Sequence, residues 1–170
     1  MMLILGCIAI IAGCGSMGLW LANRIRRRPV ELREGLMALA LLDTEIVWGA
    51  TPLPEAFRIV KERTDTPWQE FFAELQERLG QGESASVAWK ETIIGQNPHF
   101  CLKQEDWQVI RDVSRGLGQS DRKEQHKQLE LIQRQLSLMK EQAGIWSEKQ
   151  AKMWSYLGFL CGIAGVLLMI

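Results

Sequence analysis

Residues 121–170 read DRKEQHKQLELIQRQLSLMKEQAGIWSEKQAKMWSYLGFLCGIAGVLLMI, and this stretch decides the fold. Leu129, Ile132, Leu136, Met139, Ala143, Trp146, Gln150 and Met153 recur at alternating steps of three and four. That spacing lays one line of side chains along one face of an α-helix, a heptad seam. The phase runs on through Leu157, Leu160, Ala164 and Leu167, past the point near Met153 where charged residues stop. The expected element is one rod of about fifty residues, roughly 75 Å long, with Asp121 as its cap. Two outlets for the seam are open: a parallel coiled coil between chains, or packing within the chain against helices expected near 29–48 and 103–117.

Working outward, the apolar tail has a counterpart at the other end of the chain. Residues 1–22 and 153–170 contain no Asp, Glu, Lys or Arg, so all 20 acidic and 20 basic side chains fall in residues 23–152. Met1 to Ala22 would reach roughly 33 Å as a helix, and Met153 to Ile170 roughly 27 Å, so each is expected to be a transmembrane helix. A signal peptide carries its positive charge ahead of the apolar stretch; here Arg24, Arg26, Arg27 and Arg28 follow it. Ile11-Ala12-Gly13-Cys14 resembles a lipoprotein cleavage box but lacks the basic leader. Lys149 and Lys152 flank the second run, and Trp20, Trp154 and Tyr156 stand at interfacial depth. Both basic flanks adjoin the middle segment, which predicts a cytoplasmic domain at 23–152 with both termini outside. Gly158 and Gly162 form a GxxxG that permits close helix approach.

The middle segment shows helix punctuation throughout and no sustained alternation of the strand type. Pro29 opens a helix to about Trp48, with Leu36 to Leu42 wholly apolar and expected to be buried on most sides, and Gly49 stops it. Thr51-Pro52-Leu53-Pro54-Glu55 offers a cap, two helix-start prolines and an early acid, launching a helix to about Arg63. After Thr66-Pro67, the residues Trp68, Phe71, Phe72, Leu75 and Leu79 form one amphipathic stripe. Gly80 and Gly82 end it. Ser84 or Ser86 caps the next helix, which carries Val87, Trp89 and Ile93 inward until Pro98. A fifth runs from about Lys103 to Leu117, with Trp107, Ile110 and Leu117 inward and Gly116 and Gly118 closing it. The expected fold is all-α: a compact bundle of about six helices between two membrane spans, with the last soluble helix continuous with the second span.

No motif for catalysis stands out. His99 and Cys101 are two apart and do not share a helix face. His99 and His126 fall short of the three or four convergent ligands a metal site needs. Arg115-Gly116-Leu117-Gly118 is followed by no Walker lysine and no dinucleotide fingerprint. Glu31 with Glu34 and Asp43 with Glu45 read as solvated helix faces. Cys7, Cys14 and Cys161 lie in the apolar ends and leave Cys101 alone, so no disulfide framework is expected. Zero net charge argues against bulk nucleic-acid binding. The expectation is a protein that is not an enzyme, with no cofactor, no metal and no small-molecule substrate.

Several stretches together resemble the stage III sporulation protein AB family of endospore-forming bacteria. They are Arg28-Pro29 with Leu32-Arg33, Leu39 to Glu45-Ile46, and the turn Gly49-x-Thr51-Pro52-Leu53-x-Glu55-Ala56. Trp89, the corner Leu117-Gly118-x-x-Asp121 and the closing Leu157-Gly158-x-Leu160 complete the likeness, which covers essentially the full chain. The resemblance implies a helical domain similar to those of the inner-membrane platform protein of type II secretion and type IV pilus systems. It implies a place in the mother-cell membrane facing the forespore, within a channel assembly. Its implied partners are other membrane components of that channel and a secretion-type ATPase, stage III sporulation protein AA. Candidate contact residues, equally readable as turns that set helix angles, are Trp48, Gly49, Thr51, Pro52, Leu53 and Glu55 at one corner and Leu117, Gly118 and Asp121 at another. The alternative is a generic membrane-tethered coiled-coil scaffold or regulator, a homo-oligomer with no motor partner.

Overall fold

The computed structural model describes residues 2–117 and 122–169; in 2–24 and 151–169 it describes the backbone and a minority of the side chains. The described residues form α1 (Met2–Val47), α2 (Leu53–Glu62), α3 (Trp68–Gly80), α4 (Ala85–Gln96), α5 (Gln104–Asp112) and α6 (Arg122–Met169), with no strand among them. Short 3-10 turns at Asn97–His99 and Val113–Arg115 follow α4 and α5. The chain divides into two compact units, one of residues 30–141 and one of residues 1–29 with 142–170. The rod expected at the C-terminus is one helix of 48 residues. The apolar runs 1–22 and 153–170 lie mostly outside the described side chains, and among the described residues no helix is long and apolar enough to cross a membrane.

An aromatic cluster forms the core of residues 30–141. The stripe on α3 points inward as its spacing predicts, with Trp68, Phe71, Phe72 and Leu75 fully buried. Trp68 meets Phe71 and Phe100 edge to face at centroid distances of 5.3 and 4.9 Å. Phe71 meets Trp89 of α4 at 5.2 Å, again edge to face, and Phe100 meets Trp107 of α5 at 5.1 Å. These arrangements bring the positive rim of one ring to the negative face of another, and each contributes about 1 kcal/mol beyond the area buried. Phe57 of α2 closes the cluster against Phe72. Two of the three buried indoles also satisfy their polar edges: Trp68 Nε1–H donates to the Glu31 carbonyl of α1 at 2.8 Å, and Trp89 Nε1–H to the Ile110 carbonyl of α5 at 2.9 Å, while the Trp107 Nε1–H has no partner among the described residues. Glu31 is itself buried, and its carboxylate accepts the Cys101 N–H at 2.7 Å.

Four details differ from the sequence reading. Pro29 lies inside α1 and does not begin it. An interior proline removes one backbone hydrogen bond, at a cost of about 3 kcal/mol; the runs on either side are each long enough to stay helical, so the loss is a local defect. The apolar run Leu36–Leu42 is not buried all round: Leu32, Ala38, Leu39, Leu42 and Ile46 form a single buried face, and Met37 is exposed. On α4 the small residues Ala88 and Thr92 share the buried face with Trp89 and Ile93, while Val87 points outward. Along α6 the seam is buried at Leu129, Ile132, Leu136 and Ala143, after which Ser147 replaces Trp146 on the buried side. A single chain therefore covers the first part of the seam.

Close approach at one point of α1 generates a prediction. A methyl group added at Gly35 would collide with the Trp68 indole, whereas one at Gly144 of α6 meets nothing within 4 Å. Alanine is favoured over glycine within a helix by about 1 kcal/mol, so only collision can reverse the sign. Gly35→Ala is expected to destabilise residues 30–141 by about 1–3 kcal/mol, and Gly144→Ala to be neutral or stabilising, as read by denaturant unfolding of the two variants.

Candidate functional site

The corner between α1 and α2 is built from the end of one helix and the start of the next. The Trp48 and Gly49 N–H groups both donate to the Thr44 carbonyl, at 3.0 and 3.1 Å, and the Thr51 N–H donates to the Glu45 carbonyl at 3.0 Å. The Thr51 hydroxyl donates to the Glu45 carboxylate at 2.9 Å. Thr51 thus ties the turn back to α1 and does not cap α2, whose N-cap is Pro52 with no side-chain bond. Two prolines around a helix start leave few N–H groups for a hydroxyl to satisfy, which frees Thr51 for the older helix. Glycine is required at 49, because a Cβ there would stand 2.7 Å from the Thr51 hydroxyl and 2.8 Å from the Glu45 carbonyl. Ala50 follows at φ +49°, a left-handed conformation that costs an L-residue about 1–2 kcal/mol. The surroundings over-determine it.

This rigid corner holds Trp48 out into solvent, 82% exposed. Pro52 and Glu55 are also exposed, and Leu53 is half-buried. Glu55 is bound by Arg58, which also holds Glu62. The hydrogen bond from Arg58 lowers the Glu55 carboxyl below its ordinary range, and the same bond raises the guanidinium. Beyond the corner, Ala56, Phe57 and Val60 anchor α2 in the core. The corner is thus a charged, held platform beside one projecting indole.

The second candidate corner divides differently. Leu117 is buried and belongs to the core, with Gln125 Nε2–H donating to the neighbouring Gly116 carbonyl at 2.9 Å. Gly118 and Asp121 lie outside the described residues. Arg26, Arg27, Lys149 and Lys152 are exposed, Arg28 is half-buried, and the Arg24 side chain lies outside the described set. His99 is exposed and Cys101 is half-buried. Among the described residues no group of three or more His, Cys, Asp or Glu could hold a metal ion. A polar groove lined by Glu70, Glu74, Glu77, Arg78 and Gln96 holds one base against three acids, and Arg78 pairs with Glu74 and with the nearby Glu83.

One contact escaped the sequence reading because its partners are distant in the chain. His126 Nδ1 of α6 lies 2.9 Å from the Asp43 carboxylate of α1. The two elements are further joined by Gln133 Nε2–H, which donates to the Leu39 carbonyl at 3.4 Å.

With this geometry in place, comparison with known proteins decides the family. The family model described as stage III sporulation protein AB matches residues 3–170. The chain belongs to that family. Stage III sporulation protein AB of Bacillus subtilis (strain 168) is 29% identical over 170 residues, covering 99% of each chain. A solved structure of stage III sporulation protein AB matches with a TM-score of 0.67 and 27% identity, covering 71% of this chain and 95% of that one. Membership of the stage III sporulation protein AB family assigns the chain a role in sporulation.

The His126 pair makes stability depend on pH. The hydrogen bond and charge of Asp43 raise the His126 imidazole above its ordinary value, with Glu130 adding to the effect. A raised histidine binds its proton more tightly when folded, so its contribution is fully present below the unfolded value of about 6.5. That contribution is lost as pH rises through the higher folded value. The melting temperature of the wild type minus that of Asp43→Asn is expected to be largest near pH 6 and to shrink towards zero above neutrality.

Proposed function

We propose that this chain is a non-enzymatic membrane platform of spore development. In this reading residues 1–22 and 153–170 span the mother-cell membrane facing the forespore, and the helical domain lies on the cytoplasmic side. There it docks a secretion-type ATPase, stage III sporulation protein AA by the family resemblance, and couples that motor to the channel assembly. The observation that carries the docking is Trp48: a fully grown indole held in water on a backbone corner that is already rigid. Exposed tryptophan is costly to leave unpartnered and is enriched among residues that dominate binding energy. Rigidity lowers the ordering cost on association. The charge-free ends support the spans, and the basic residues on their inner flanks support the orientation.

The competing reading, a motor-free coiled-coil scaffold, requires a free heptad seam. Leu129, Ile132 and Leu136 are already covered within one chain, which favours the platform.

Tagged full-length protein, solubilised in mild detergent from sporulating cells and analysed by mass spectrometry, tests the reading. Recovery of the ATPase in comparable molar amount is expected. Trp48→Ala should cut that recovery by about ten-fold or more while leaving the melting temperature within about 2 °C of wild type. Recovery of the chain alone, with the ATPase present in the lysate, would replace the platform with the self-associating scaffold.

A further inference from the structure

The chain is neutral as a whole, yet its two compact units are oppositely charged. The unit of residues 1–29 and 142–170 contains Arg24, Arg26, Arg27, Arg28, Lys149 and Lys152 against the single acid Glu148, a net charge of +5. Residues 30–141 therefore carry −5. Four of the fourteen cations in 30–141, Arg58, Arg78, Arg115 and Arg134, hold a carboxylate of a neighbouring turn. In the other unit Arg26, Arg27, Lys149 and Lys152 are exposed and form no ion pair among the described residues, although Glu148 stands four residues before Lys152. Exposed Trp20 and Tyr156 lie four to seven residues along the chain from these cations, on the side of the uncharged ends.

From this we infer that Arg26, Arg27, Lys149 and Lys152 bind the headgroups of anionic phospholipids, giving the chain a preference for phosphatidylglycerol-type lipid over zwitterionic lipid. The inference rests on the membrane spans proposed above. Unpaired cations next to interfacial aromatics and an uncharged run sit at headgroup depth, where each adds about five-fold to the preference for an anionic surface. The attraction is electrostatic and fades as salt shortens the screening length from about 10 Å at 0.1 M to about 3 Å at 1 M. The acidic 30–141 unit is repelled by the same surface, so only the basic unit contributes to the preference.

The test uses full-length protein reconstituted into vesicles of equal parts phosphatidylglycerol and phosphatidylcholine, re-extracted in mild detergent, with retained lipids counted by mass spectrometry. The wild type is expected to retain phosphatidylglycerol at least five-fold over phosphatidylcholine at 0.1 M salt, and near parity at 1 M. The variant with Arg26→Gln, Arg27→Gln, Lys149→Gln and Lys152→Gln should fall to parity at both. Arg26→Lys with Arg27→Lys should keep the preference, which separates charge from any folding defect. Alkaline carbonate extraction from pure phosphatidylcholine vesicles reports the spans independently. Resistance to carbonate without lipid preference would overturn the inference and leave the spans; a preference in a chain that carbonate strips would sink the spans and keep the inference. A preference unchanged in the four-glutamine variant, or retention of an added oligonucleotide in place of lipid, would also overturn it.

Discussion

The helical domain depends on how closely the α1 backbone approaches the Trp68 indole. Trp68 reaches the Glu31 carbonyl, an acceptor whose helical partner is the N–H four residues on, at Gly35. Side chains on a helix lean towards its N-terminus, so any larger residue at 35 would cover the carbonyl at 31. Glycine leaves it open, and the indole lies in the space. From that seat Trp68 touches Phe71, Phe72, Phe100 and Trp107, joining α1, α3, the segment before α5, and α5 itself. The Glu31 carboxylate reinforces the same joint by accepting the Cys101 N–H. A buried acid is tolerable there because it is hydrogen-bonded.

Much of this was legible in the residues, and the exceptions share a cause. The α3 stripe could be read because large aromatics at steps of three and four leave no second face to bury. The inward set on α4 was misread at Val87 because its real partners beside Trp89 are Ala88 and Thr92, whose small side chains send a weak signal. Glu31 and Asp43 read as solvated carboxylates, since nothing local shows that a buried amide or a histidine 83 residues away will meet them. Pattern reports faces; it does not report which distant group fills them. The interior Pro29 shows the converse, a local stop signal outweighed by long helical runs on both sides.

The corner between α1 and α2 was legible as a turn and illegible as a surface. Gly49, Pro52 and Pro54 announce a break between helices, and the break is there. What the residues did not reveal is the direction in which Thr51 bonds, nor that Trp48, two residues beyond the buried Ile46, would be left in water. Trp89 and Trp107 are equally aromatic and deeply buried. Exposure at Trp48 follows from helical phase: two residues past Ile46 is about 200° round the helix, opposite the buried face. Leu117 at the other corner has the opposite fate, because the 3-10 turn at Val113–Arg115 tightens the chain and draws it inward.

The seam on α6 separates a scaffold from a bundle by its period. A coiled coil keeps contact every 3.5 residues only by supercoiling; a straight helix drifts by about 20° per heptad relative to that repeat. Leu129, Leu136 and Ala143 are buried at strict sevens, but the next buried residue is Ser147, and Trp146 has rotated outward to 47% exposure. Residues 143 and 147 are four apart where the heptad phase calls for three. The drift is that of a straight helix lying against its own chain, and its outer face retains Leu131, Leu138 and Ile145 as separate exposed side chains, one per two turns, with Arg134 and Glu141 between them. Like charges at those intervening positions would meet across a parallel two-fold pair and repel.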